Sequence, residues 1–149
     1  SSTTQLVMSS IDQTYTDLVL VINGAGAGTG GAGGSMWLQF NGDTNGAHYS
    51  STRILGDGSS ASSARSTNTL MTGDAGSGDK LTDIINIQNY ANTTTYKTYL
   101  ARANRAGSGV DAIVGLWRST AAINSITILP AANQFNYPST FTLYGITAA

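Results

Sequence analysis

Apolar and polar residues alternate with a period of two along much of this chain. Met36, Leu38 and Phe40 alternate with Trp37 and Gln39, Ile126 and Ile128 with Ser125 and Thr127, and Phe141 and Leu143 with Thr140 and Thr142. That period puts successive side chains on opposite faces of an extended backbone, so each segment predicts a half-buried β-strand. Further strands are predicted over residues 5–8, 47–55, 67–71, 81–88, 96–102 and 110–117. Residues 18–22 (LVLVI) form an unbroken apolar run rich in β-branched side chains, which predicts a central strand covered on both faces. Within 81–88, Leu81, Ile85 and Ile87 share a face. Within 96–102, Tyr96, Thr98 and Leu100 oppose Lys97 and Tyr99, and within 110–117, Val110, Ala112, Val114 and Leu116 turn to one side.

Between these segments lie polar turns at 12–16 and 41–46 and loops at 23–34, 56–66, 73–80 and 130–138. The last loop carries the only two prolines, Pro130 and Pro138, each of which removes a backbone donor and ends regular pairing nearby. No segment has helical periodicity. Roughly ten short strands separated by turn signals predict one all-β domain over residues 1–149, an antiparallel two-sheet sandwich of jelly-roll-like form.

Composition agrees with this reading. The 149 residues include 18 Gly but no Glu and only Lys80 and Lys97 as lysines, so good surface helix formers are scarce. A chain of this length buries a core without staples, and it has no cysteine to form any. Net charge is −1 and only 10% of residues are charged. This gives no basic footprint for nucleic acid and no electrostatic attraction to an anionic membrane. No apolar run nears the ~20 residues of a membrane-spanning helix. The first residues, SSTTQ, have no charged n-region, so no signal peptide is expected, and the missing Met points to processing or trimming.

Candidate chemistry is sparse. Gly26, Gly28 and Gly31 match G-x-G-x-x-G, but a phosphate cradle needs a helix directly afterwards, and a strand pattern follows instead. The stretch therefore reads as a glycine loop between strands, and no cofactor is expected. Asp43 with Asn45, and Asp74 with Asp79, fall short of a calcium loop and read as turn residues. His48 is the only histidine, and no G-x-S-x-G elbow exists for a Ser-His-Asp site. Zinc lacks ligands, and no carboxylate pair stands out for glycoside hydrolysis. No enzyme is expected. Contact with a partner or glycan remains the open chemistry. Aromatic faces and arginines serve such contacts, and Trp37, His48, Tyr49, Arg53 and Tyr137 are the candidates. Arg53 reads equally as a cross-strand partner of an Asp. Trp37 and Trp117 read first as half-buried strand residues with satisfied indole N–H groups.

The segments TYTDLVLVI, LQFNGDTNGAHYSSTRILGDGSS, IQNYANTTTYKTYLAR and GLWRSTAAINSITILPAANQFNYPSTFTLYGI occur in this order. Together the chain resembles small β-rich structural proteins of tailed bacteriophages, including phages of aquatic bacteria. The resemblance runs over nearly the whole chain and rests on turns and core strands. The loop at 23–34 is unusually glycine-rich for that pattern, and the leading segment that such proteins often carry reads as short or missing. The resemblance implies a virion component on the particle surface, with the capsid exterior favoured over the tail. The first expectation is a capsid decoration (cement) protein that binds the major capsid protein lattice and stabilises the shell as a homo-oligomer, a trimer favoured. Loops 24–34, 56–66 and 130–138 are its expected contacts. The alternative is a tail-fibre or tailspike module that binds a receptor or host surface glycan.

Overall fold

The computed structural model describes residues 4–25, 34–75, 80–105, 109–130 and 135–148. Eleven strands run through them: β1 (Leu6–Met8), β2 (Asp17–Ala25), β3 (Gly34–Phe40), β4 (Tyr49–Gly56), β5 (Ala61–Ser66), β6 (Leu70–Ala75), β7 (Lys80–Gln88), β8 (Lys97–Arg105), β9 (Gly109–Trp117), β10 (Ile126–Pro130) and β11 (Asn136–Ile146). They form two antiparallel sheets. The smaller has the order β1-β10-β3-β6 and the larger β11-β2-β7-β8-β9-β4-β5.

The chain changes sheet at seven of its ten connections between these strands. It runs from β1 in the small sheet to β2 in the large, back to β3, across to the β4–β5 hairpin, back to β6, across to β7–β9, back to β10 and across to β11. That is the path of a jelly roll, with two elaborations. The strand position between β2 and β4 is widened into the β7-β8-β9 meander, and β11 adds a strand outside β2.

The inner rows of the two sheets meet in one core. Leu18, Leu20, Ile22, Ile85, Ile87, Tyr99, Ile113 and Trp117 come from the large sheet, and Leu38, Phe40, Leu70, Ile126 and Ile128 from the small one. Tyr90 and Ile123 close it from the connecting segments. Full burial of such side chains stabilises by about 1.5–3 kcal/mol each. The β3–β6 ladder shifts register between Met36 and Trp37, which oppose Gly73 and Met71. The residue left over is Thr72, a bulge whose hydroxyl turns inward and donates to the Met36 carbonyl at 3.3 Å.

Several expectations change. β2 is not covered on both faces: Leu18, Leu20 and Ile22 are buried, while Val19 and Val21 stay half-buried. The expected loop at 56–66 is a tight turn followed by β5, a polar edge strand with no apolar face to betray it. The strand expected at 47–55 begins at Tyr49, because Gly46–His48 form a 3-10 turn capped by the Asn45 side chain. The strand expected at 67–71 lies at Leu70–Ala75 and takes in the start of the expected 73–80 loop. Pro130 ends β10, and Pro138 falls inside β11 at a register irregularity between Asn136 and Thr140. An edge strand tolerates proline there because no ladder donor is needed. Gly26, Gly28 and Gly31, with the middle of the 24–34 loop, lie outside the described residues, as do residues 131–134 of the 130–138 loop.

Candidate functional site

Two parts of the molecule gather the candidate residues or offer a surface for contact. The first is a junction at the end of the sandwich where β4, β8 and β9 stop. The 41–48 turn brings Asp43 against Trp117 and His48. Its Oδ2 accepts from Trp117 Nε1 at 2.8 Å and from His48 Nδ1 at 2.7 Å, and its Oδ1 accepts from the Asn45 N–H at 3.0 Å. Burial pulls the Asp43 pKa upward, but the bonds from Trp117, His48 and Asn45 outweigh it and hold the carboxyl below its ordinary range. Tyr49 Oη donates to the Asp43 carbonyl at 2.8 Å and accepts from the Phe40 N–H at 3.2 Å. Burial, opposed by that N–H and aided by the Asp43 charge, pushes the Tyr49 pKa up to about 12.

An aspartate holding histidine Nδ1 is the orienting half of an acid–base triad. The contact with Asp43 puts a proton on Nδ1, and Nε2 is the ring nitrogen turned away from the carboxylate. It meets the Asn45 amide at 3.3 Å, and among the described residues no hydroxyl bonds it. The arrangement therefore clamps a turn to the last core tryptophan. Arg118 extends the clamp: its N–H donates to the His48 carbonyl and its Nη2 to Ser50 Oγ at 2.9 Å.

The same end is tied to the segment before β10. Asn41, at φ 53°, sits in the left-handed region that asparagine tolerates. Its Oδ1 accepts from the Asn124 and Ser125 N–H groups at 2.8 and 3.2 Å, and its Nδ2 donates to the Ala122 carbonyl at 2.8 Å. Buried Lys97 donates from Nζ to the carbonyls of Thr95 and Thr120, and desolvation lowers its pKa. Replacing Asn41 by Ala is expected to lower unfolding free energy by about 2 kcal/mol, since it leaves two backbone donors without their acceptor. Asn41→Asp keeps that acceptor and should recover most of the loss in urea titrations of the two variants.

The second part is the outer face of the large sheet. Along β9 the buried row is Asp111, Ile113, Gly115 and Trp117, so the apolar row Val110, Ala112, Val114 points outward. Register places Leu100 beside Val114, Arg102 beside Ala112 and Ile54 beside Ala112 on that face. Ile54 and Val110 are each 61% exposed, Leu100 53% and Val114 46%. The small Ala112 forms the floor of two adjoining shallow grooves of about 550 and 400 Å³, both walled by Ile54 and Arg102. These exposed apolar side chains and the two grooves form one contiguous patch on the sheet face.

The sequence candidates fall in different places. Trp37 is 38% exposed on the outer face of the small sheet, beside a shallow cleft lined by Gln39, Thr44, Asn68 and Thr69. His48 is half-buried at the junction, whereas Tyr49 is in the core and stacks on Trp117. Arg53 lies on the inner row of β4, diagonal to Asp111 in the β4–β9 register, which suits the cross-strand reading. Tyr137 is in β11, but its side chain lies outside the described residues. Trp117 has its indole satisfied, as expected, yet it is fully buried. Sequence reasoning missed Asp43 as the hub and missed the outer face altogether. The signal for the face was present in β9, where both alternating rows contain large apolar residues. The sequence matches no protein-family model and no curated protein.

Proposed function

We propose that the chain is a structural protein of a phage virion, a capsid decoration protein that binds the major capsid protein lattice and braces the shell. The observation that carries this reading is the exposed apolar face around Ala112, a surface suited to being covered in an assembly. A rigid jelly-roll framework with its end clamped through Asp43 and Asn41 suits a bracing role, although the fold alone assigns none. Contact through a sheet face replaces the loop contacts expected from sequence as the main binding surface. Assembly as a homotrimer belongs to the same reading.

Counting copies tests it. Densitometry of purified particles should give a ratio to the major capsid protein near one. A few copies per particle would sink the decoration reading. It would favour the alternative, a glycan-binding module of the tail, for which exposed Trp37 and its polar neighbours Gln39, Thr44 and Asn68 are the specific support. In that case Trp37→Ala should abolish adsorption of the protein to host cells while leaving its melting temperature unchanged.

A further inference from the structure

We infer that the outer face of the large sheet is the surface that seats on a shell subunit, and that the subunit presents an apolar segment with a carboxylate directed at Arg102. The inference rests on the virion reading above and deepens it by naming the surface and the chemistry of its partner.

Charge selects the occupant. Arg102 stands exposed among Leu100, Ile84 and Ala112, and among the described residues it makes no ion pair. Arg65 adds a second positive charge at the β5 end of the face, opposite Thr52. No carboxylate occupies an outward position of β7, β8, β9, β4 or β5: besides the two arginines and, at the start of β7, Lys80, these positions hold Thr, Asn, Gln, Ser, Gly, Ala and aliphatic residues. A second copy stacked on this face about a two-fold axis would bring two positively charged faces together with no carboxylate between them, and like charges in a surface that excludes water are costly. A partner with a carboxylate among aliphatic side chains completes both requirements, since a guanidinium holds a carboxylate through two parallel hydrogen bonds.

Area agrees. Five strands spaced ~4.8 Å apart with eight or so residues rising ~3.4 Å each give a face on the order of 650 Å². One partner in a standard protein interface gives roughly 800 Å². The face with its rim therefore accounts for most of a specific interface. The two grooves flanking Ala112 supply pockets for side chains of the partner, and an arginine beside such pockets is where binding energy concentrates.

Hydroxyl-radical footprinting, read by mass spectrometry on free protein and on purified particles, tests the inference. The expected result is strong protection of Ile54, Leu100, Val110 and Val114 in the particle only, with Val7 on the small sheet unchanged. Arg102→Glu should weaken rebinding to stripped particles about 30-fold or more, while Arg102→Lys retains part of it. Both substitutions sit at an exposed position, and an unchanged melting temperature verifies the fold. If the chain is abundant in the particle and these four side chains label as in free protein, the inference fails and the virion reading stands. Protection already present in free protein, together with a sedimenting dimer or trimer that Arg102→Glu leaves intact, overturns it in favour of self-association. Absence of the chain from the particle overturns both.

Discussion

Asp83→Asn should make the protein more stable at neutral pH and flatten the dependence of its stability on pH. Asp83 lies on the inner row of β7 with Leu81, Ile85 and Ile87, fully buried beneath the small sheet. Neither carboxyl oxygen finds a hydrogen-bond partner of normal geometry among the described residues. Burial drives its pKa well above the ordinary carboxyl value; the neighbouring Thr72 hydroxyl offsets this in part and the charge of Asp111 adds to it. Tyr99 faces the same group, and its own pKa is raised by burial first and by Asp83 second.

The sign follows from proton binding. Between the unfolded carboxyl pKa near ~3.9 and the raised folded value, the native state keeps a proton that the unfolded chain releases. Unfolding is then favoured by rising pH, and stability falls by about 1.4 kcal/mol per pH unit over that window. Below the unfolded pKa both states are protonated and the penalty disappears. Wild type and Asp83→Asn should therefore have similar unfolding free energies near pH 3.5 and diverge as pH rises, with the variant ahead. Urea titrations from pH 3.5 to 8 check this. A variant less stable than wild type at every pH would show that the carboxyl is engaged by a group that asparagine cannot replace.

Gly115→Ala should have the largest opposite effect. Gly115 faces Tyr99 directly across the β8–β9 ladder. A Cβ on Gly115 would stand 1.8 Å from Tyr99 Cε1 and 2.3 Å from Cζ. Tyr99 is fully buried and has no room to swing aside. Overpacking of a tight core costs about 1–3 kcal/mol and at times more; at such separations the loss should reach the upper end. For a domain of this size that corresponds to a fall in melting temperature of roughly 6–12 °C. Combining Gly115→Ala with Tyr99→Leu, which removes the ring, should cost less than the sum of the single variants. Strict additivity would mean that the two positions do not meet.

Much of the framework was legible in sequence because each core strand has one apolar row. β3, β7, β10 and β11 were found that way. β5 was hidden because ASSARS pairs only with β4 and buries neither face. In β9 apolarity alone misleads. The richer row, Val110 to Leu116, looks outward, while a row holding Asp111 and Gly115 faces the core, because Gly115 makes room for the Tyr99 ring and Trp117 must reach Asp43. The junction itself was invisible in sequence. Trp117 and Asp43 are 74 positions apart, and only the crossing between sheets brings them together.

The strand order also constrains how the molecule is made. β1 pairs only with β10, and β2 is flanked on one side by β11, so the first two strands of the chain wait for the last two. During synthesis the meander and the β4–β5 hairpin have all their neighbours early, while the edges of β2 and β3 stay open until residue 126 and beyond have left the ribosome. Closing such distant pairs is slow compared with forming local hairpins. A nascent chain paused before β10 would carry open edges able to pair with its neighbours, so steady synthesis through β10 and β11 guards against aggregation on the polysome.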